Sequence, residues 1–174
     1  HGQHVVQTLG PEPIAKVRFI ALRRISQHYP TRHIGSERRF DLGGTLAHEA
    51  LGLLKAALAD VFPTLTGDGP GHRVVDLGAD RFTLGRPHPM IDGTVRREWI
   101  AREARDPTTT VLLLDVVLGY GAHPNPVGEI LPALRAARDE AERGGRRLAV
   151  VASVCGTEGD PQGYRHQVAA LRAA

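Results

Sequence analysis

The sequence predicts an α/β fold: a flavodoxin-like, three-layer αβα domain with a mainly parallel sheet. A strand, a loop and a helix follow one another four times between residue 39 and the end of the 174-residue chain. The strand expected at 110–118 is so uniformly apolar that helices must cover both of its faces. This alternation is typical of the βαβ units of doubly wound sheets.

The strands of the four repeats are apolar runs that end at glycine or in a loop with glycine or proline. They are expected at 40–42, 73–77, 110–118 and 148–154, with a further short strand at 61–62. The helices share apolar residues at helical spacing. They are expected at 45–60, 92–104, 127–143 and 162–171.

The ends of the helices carry their own signals. Thr45 and Asp92 are N-caps of the first two helices, because a side-chain oxygen can accept a hydrogen bond from the first turn. Gly144-Gly145 ends the third helix. Pro132 is tolerated in that helix only in its first turn or at a kink, because proline has no N–H to donate.

Residues 1–38 differ from the rest of the chain. They are rich in turn signals such as Gly10-Pro11-Glu12-Pro13, and the stretch from Lys16 to Ile25 is compatible with one strand or one short helix. We therefore expect residues 1–38 to be a linker or the tail of a preceding domain, and residues 39–174 to be the α/β domain.

Composition excludes several classes of protein. The net charge is +3, from 22 Lys and Arg against 19 Asp and Glu, and the arginines alternate with acids in Arg96-Arg97-Glu98 and Arg138-Asp139-Glu140. Such runs are typical of solvated helix faces, so nucleic-acid binding is not expected. No apolar run approaches the roughly 20 residues of a membrane helix, so no membrane partner is expected either.

The chain has one cysteine, Cys155. A single cysteine excludes an internal disulfide and a cysteine-based zinc site, so no metal is expected and a cytoplasmic location fits. Cys155 follows a buried strand, where a cysteine is more often a small hydrophobe than a nucleophile. Glu158 and Asp160, in the loop that follows, are expected to cap the last helix or to meet a partner's cation.

Right-handed crossovers place the loops after parallel strands on one edge of the sheet. Ligands of open α/β sheets bind at this carboxyl edge. Four loops should therefore converge there. They are Gly43-Gly44-Thr45, Arg86-Pro87-His88, Gly119-Tyr120-Gly121-Ala122-His123 and Gly156-Thr157-Glu158.

The first of these loops suits an anion. Gly43 and Gly44 let backbone N–H groups approach a phosphate, Thr45 adds a hydroxyl, and the dipole of the following helix favours negative charge. The alternative is a tight turn in which Thr45 is an ordinary N-cap.

The next two loops carry candidate side chains. Arg86 can pair with a phosphate or a carboxylate, and His88, which proline flanks on both sides, can act as a general base or as a donor. His123 is either an anion-facing donor or a turn residue, and Gly119 and Gly121 permit close approach of a ligand. Alternatively, Arg86 and His88 bond to backbone carbonyls in a structured loop. Asp115, inside an apolar strand, is as much a candidate for a structural pair as for catalysis.

No Walker A, dinucleotide-binding, nucleophile-elbow or zinc-protease motif occurs in the chain. From about residue 40 to the end, however, the chain resembles the second half of FdrA-family proteins, which are acyl-CoA synthetase-like. The motifs that carry this resemblance are Gly43-Gly44-Thr45-Leu46-Ala47-His48-Glu49-Ala50, Val75-Asp76-Leu77-Gly78, Gly85-Arg86-Pro87-His88-Pro89-Met90-Ile91-Asp92, Leu114-Asp115-Val116-Val117-Leu118-Gly119-Tyr120-Gly121-Ala122-His123-Pro124 and Val151-Ala152-Ser153-Val154-Cys155-Gly156-Thr157-Glu158-Gly159-Asp160-Pro161-Gln162.

The resemblance extends more distantly to the CoA-ligase domain of succinyl-CoA synthetase. It implies a domain that binds a phosphate, acyl-phosphate or carboxylate ligand and acts with other domains or subunits, in a homo- or hetero-oligomer. Coenzyme A and a nucleotide would be bound by those other domains. The Gly-His-Ala-Gly-type segment that carries the phosphohistidine of the synthetase is absent, so His123 is expected to be part of a cradle.

Proposed roles follow from the resemblance and the loops together. His123 and His88 are the candidate catalytic residues. The candidate phosphate-binding residues are Gly43, Gly44, Thr45, Arg86, Gly119, Gly121, Gly156 and Thr157. Two other functions stay open: a subunit of a carbamoyltransferase that acts on oxamate in allantoin breakdown, which needs no phosphohistidine, and a non-catalytic interaction module.

Overall fold

The structure, a computed structural model, describes residues 17–21, 45–63 and 71–174. Its strands are β1 (Val17–Ala21), β2 (Val61–Pro63), β3 (His72–Asp76), β4 (Val111–Val117) and β5 (Ala149–Cys155). Its helices are α1 (Thr45–Ala57), α2 (Asp80–Thr83), α3 (Thr94–Arg105), α4 (Pro126–Arg143) and α5 (Tyr164–Arg172).

The described strands form one sheet in the order β2-β3-β1-β4-β5, and each neighbouring pair is parallel. Strands β4 and β5 are aligned over their whole length, from Val111 beside Ala149 to Val117 beside Cys155. Apart from the short edge strand β2, this is the strand order of a flavodoxin-like sheet. The predicted fold class is confirmed.

Strand β1 corrects the expected domain boundary. Ile20 lies beside Val75 of β3 on one side and beside Leu114 of β4 on the other, so residues 17–21 form the centre of the sheet. At least these five residues are therefore part of the domain and not of a linker or a preceding tail. Of the two conformations considered for this stretch, the structure has the strand over residues 17–21, the part that it describes.

Helices cover both faces of the sheet. Leu112, Leu114 and Val116 of β4 face a large core that they share with α3, α4 and α5, and all three are almost fully buried. Leu113, on the opposite face, packs with α1. The alternation of side chains along a strand explains this division, and the two helical layers account for the uniformly apolar sequence of β4.

Most predicted elements are confirmed within a few residues. The short helix α2 lies where only a turn and a loop were expected. In α4, Pro126 is at the first position and Pro132 is inside the helix, beyond the first turn, where the sequence allowed it only at a kink. The strand expected at 40–42 and the residues Gly43 and Gly44 lie outside the described residues.

The described helices include none that is long and apolar enough to cross a membrane. Within the same ranges, no group of three or more His, Cys, Asp or Glu side chains is placed to hold a metal ion.

Candidate functional site

The sheet has one point at which successive connections turn in opposite directions. From β1 the chain passes through α1 to β2 and then β3 on one side, and from β3 it returns across β1 to β4 and β5 on the other. The crevice outside the carboxyl ends of the strands at such a switch point is the common ligand site of doubly wound sheets. The loop that leaves β4 here contains Gly119, Gly121 and His123.

Three predicted loops and the start of α1 meet at this edge. Met90, from the loop before α3, and Val117, at the end of β4, form a small buried cluster. Leu46 of α1, Ala122 of the glycine loop and Cys155 at the end of β5 pack against it. Thr45 therefore begins its helix beside the other loops, whereas Gly43 and Gly44 lie outside the described residues.

The loop after β4 is held by a buried side chain that the sequence did not single out, Gln162. Its Oε1 accepts a hydrogen bond from Gly119 N–H at 3.0 Å, and its Nε2 donates to the carbonyl oxygens of Gly119 (2.9 Å) and His123 (3.3 Å). Gly119 and Gly121 have φ angles of +129° and +85°, which residues with a Cβ rarely adopt. The loop thus has a fixed shape that depends on glycine.

A second buried glutamine, Gln167, holds the start of α4. Its Oε1 accepts from Val127 N–H at 3.1 Å, and its Nε2 donates to Asn125 Oδ1 at 3.2 Å. Asn125 Oδ1 also accepts from Gly128 N–H at 3.1 Å, so Asn125 is the N-cap of α4.

His123 is engaged at its backbone and at both ring nitrogens. Its N–H donates to Met90 O at 2.8 Å, which ties the loop after β4 to the loop before α3. Nδ1 accepts from Asn125 N–H at 3.0 Å, and Nε2 lies 3.4 Å from Glu129 Oε2. The prediction left open whether His123 is a donor to an anion or a turn residue. The hydrogen bond from Asn125 N–H to Nδ1 makes His123 part of a turn.

Glu129 has a partner on each side. Its Oε1 is 2.5 Å from Arg97 Nη1, while its Oε2 faces His123. Arg97 Nη2 in turn donates to Thr94 Oγ1 at 2.9 Å. Arg97, Glu129 and His123 thus form a network, here called the His123 network, between the first turns of α3 and α4.

Arg96 and Asp115 form a buried ion pair beneath the same loops. Arg96 Nη2 donates to Asp115 Oδ1 at 3.0 Å and Nη1 donates to Asp115 O at 2.6 Å, with side chains 3% and 1% exposed. Burial lowers the pKa of Arg96, and the Asp115 carboxylate opposes that change. The sequence placed Arg96 and Arg97 on a solvated face. This was wrong for Arg96, which is buried against Asp115, whereas Arg97 is half-buried.

The loop before α3 carries Arg86 and His88. Arg86 is exposed, with its Nη1 3.8 Å from Glu98 Oε2, which is a weak surface pair. His88 Nδ1 accepts from Met90 N–H at 3.1 Å. Arg86 therefore remains accessible to an anion, and His88 is built into the turn that leads to Met90.

Asp92 accepts a hydrogen bond from Thr94 N–H at 2.7 Å. It thus acts at the start of α3 as predicted, although the N-cap position itself is Gly93. Hydrogen bonds from Thr94 lower the pKa of Asp92, and the nearby Arg97 and His123 side chains add to the effect.

The loop after β5 is closed on itself. Asp160 Oδ2 accepts from Thr157 N–H at 2.5 Å, and a Cβ on Gly156 would come within 2.7 Å of Leu118 Cβ. Neither Glu158 nor Asp160 caps α5, because Glu158 pairs with Arg165 at 2.8 Å and the cap residue Gly163 has no side chain to offer. Thr157 N–H is consequently occupied within its own loop.

The sequence profile described as CoA-ligase matches residues 41–174. The chain belongs to the CoA-ligase family. Its fold is accordingly that of the CoA-ligase domain of succinyl-CoA synthetase-like proteins.

One relative among curated proteins is the uncharacterized protein YahF of Escherichia coli (strain K12). It is 36% identical over 135 residues, which cover 72% of this chain and 26% of YahF. The chain thus spans about a quarter of the length of this relative.

Proposed function

We propose that this CoA-ligase domain binds a small phosphate-bearing or carboxylate anion at the carboxyl edge of its sheet. It would do so as the FdrA-like, acyl-CoA synthetase-like part of an enzyme that works with other domains or subunits. The observation that carries the proposal is the loop from Gly119 to His123, which lies at the switch point and is held in shape by Gln162 and Met90.

The chemistry of the edge supports a small anion. The start of α1, a helix of 13 residues, lies beside the loop through Leu46, and a helix N-terminus presents N–H groups and a positive dipole end. Arg86, with a side chain 61% exposed, adds a guanidinium that can rotate toward a ligand. We assign close approach to Gly119 and Gly121, and anion contact to Gly43, Gly44, Thr45 and Arg86.

Coenzyme A and a nucleotide are assigned to other domains for an electrostatic reason. Arg96 and Arg97 already pair with Asp115 and Glu129, so they offer little positive charge to a polyphosphate. The described loops therefore suit one phosphoryl or carboxylate group, with backbone donors doing most of the binding.

The experiment is an isothermal titration calorimetry measurement, in which the 174-residue chain is titrated with inorganic phosphate and, separately, with acetyl phosphate. Arg86→Ala should weaken binding of both ligands severalfold, because it removes a charge near the anion. Arg135→Ala serves as the control. It removes an exposed arginine on α4, away from the loops, and this variant should bind both ligands as the parent chain does. If neither ligand binds the parent chain, the proposal is wrong.

The proposal also predicts that the domain associates with other domains or subunits. The mass of the chain in solution, alone and with candidate partner domains, tests whether it associates. Synthetase activity should appear only when those partners are present, and activity of the chain alone would contradict this division of roles.

A further inference from the structure

The two candidate catalytic histidines share one local structure. In His88-Pro89-Met90 and His123-Pro124-Asn125, the N–H two residues after the histidine donates to its Nδ1, at 3.1 Å and 3.0 Å. An Nδ1 that accepts a hydrogen bond carries no proton, so the neutral ring carries its proton on Nε2. The hydrogen bonds thus assign the same tautomer to both rings.

The Nε2–H of His123 points to a carboxylate on α4. It faces Glu129 Oε2 at 3.4 Å, and Glu129 is held from its other oxygen by Arg97 at 2.5 Å. Glu129 also lies against the start of α3, where a Cβ on Gly93 would come within 2.9 Å of Glu129 Cδ. Helix start, guanidinium and imidazole all favour the carboxylate in this place.

The charges around His123 leave little net attraction for an external anion. Asp92 and Glu129 contribute two carboxylates, and Arg97 contributes one guanidinium within contact of Glu129. Arg96 is a second guanidinium near Glu129, and it is paired with Asp115. An anion that approached the Nε2–H of His123 would be repelled by the Glu129 carboxylate, which already lies beside it.

We propose that Glu129 is a positioning residue that keeps the Nε2–H of His123 within the protein and out of contact with the bound anion. His123 then closes the glycine loop, through its backbone N–H to Met90 and its Nδ1 to Asn125, and takes no phosphoryl group. This inference rests on the proposed anion site. Of these two side chains, it makes Glu129, and not His123, the one that changes how strongly that edge attracts an anion.

The first test reads the rings directly. Long-range proton–nitrogen NMR spectra of the full chain should show both His88 and His123 with the proton on Nε2. Glu129→Ala should shift the Nε2 resonance of His123 and leave that of His88 in place, which serves as an internal reference. A His123 ring that is protonated on Nδ1, or that does not respond to Glu129→Ala, would overturn the proposal even if no ligand binds.

The second test is a double-mutant cycle with inorganic phosphate as the probe. Glu129→Ala should raise phosphate affinity about three- to tenfold, because it removes a nearby negative charge and frees a donor. His123→Ala should have little effect alone and should abolish most of that gain in the Glu129→Ala background. Glu129→Gln serves if the alanine variant unfolds, and Glu142→Gln, at an exposed position on the same helix, is the control.

The outcomes separate the two hypotheses. Lower phosphate affinity in Glu129→Ala, with an unchanged melting temperature, would mean that His123 contacts the anion, and the positioning role would be wrong. Absence of phosphate binding by every variant would refute the proposed function, while the ring spectra would still decide the role of Glu129.

Discussion

The side-chain amide of Gln162 hydrogen-bonds both backbone groups of Gly119, accepting from its N–H at 3.0 Å and donating to its carbonyl oxygen at 2.9 Å. This is the pairing that a neighbouring strand would supply, and it comes here from one buried side chain beyond the end of β5. The sheet-like hydrogen bonding therefore extends beyond β4 into the loop where the candidate site lies.

Gln162→Ala should therefore loosen the glycine loop. We expect a loss of about 1–3 kcal/mol in the free energy of unfolding, because three backbone groups, two of Gly119 and one of His123, lose their partner. Urea denaturation measures this loss, and slower or weaker phosphate binding should accompany it. Arg135→Ala is the surface control, and an unchanged stability of Gln162→Ala would show that water replaces the amide without cost.

The Arg96–Asp115 pair should be costly to break from one side only. Arg96→Met leaves the Asp115 carboxylate buried without its guanidinium, so we expect a loss of about 3–5 kcal/mol. The double variant Arg96→Met, Asp115→Leu should recover a large part of that loss, because it removes both charges. Thermal and urea unfolding of the two variants test this.

The exposed pair of Arg143 and Glu140 is the matched control for that experiment. Removing Arg143 should cost no more than about 1 kcal/mol, because solvent screens surface pairs. Equal losses at the two pairs would contradict the distinction between them.

Asp92 should make stability depend on pH in the acid range. Hydrogen bonds from Thr94 lower the pKa of Asp92 in the folded state. The stability it contributes is present above the unfolded-state pKa and is lost as the pH falls through the lower, folded-state value. Asp92→Asn should therefore be less stable at neutral pH and show a flatter acid limb. A parallel pH profile for parent and variant would contradict this.

Gly93→Ala tests the room that Glu129 occupies. The new Cβ would come within 2.9 Å of Glu129 Cδ, and the Arg97 contact restricts how far that side chain can move. We expect a loss of about 1–3 kcal/mol from this crowding. In a Glu129→Ala background the loss should shrink, as a cycle of urea denaturation curves would show. An equal loss in both backgrounds would place the strain in the backbone instead.

The sequence predicted the elements well where one local signal decides them. The apolar run of β4, the capping residues and the glycines after strands located most of the elements within a few residues. Strand β1 was harder to predict. A short apolar stretch of five residues between turn-rich segments has the same sequence pattern in a linker as in a strand at the centre of a sheet. Only the pairing of Ile20 with Val75 and Leu114 distinguishes these cases.

The candidate site was predicted in outline only. The convergence of loops follows from parallel topology, so it could be foreseen. The His123 network could not, because Arg97 meets Glu129 across 32 positions of the chain and helix-face charge patterns do not encode such pairs. Gln162 and Gln167 were missed for a similar reason: a buried glutamine in a helix-start region has no signature until its partners are known.

The central position of β1 has a consequence for how the chain folds. Its neighbours β3 and β4 do not hydrogen-bond to each other, so the sheet is continuous only after residues 17–21 have inserted between them. A fragment that begins at residue 41, where the family match starts, would have two separate strand pairs with facing open edges. Such a fragment should fold slowly and aggregate, and adding residues 17–21 as a peptide should complete the sheet in trans.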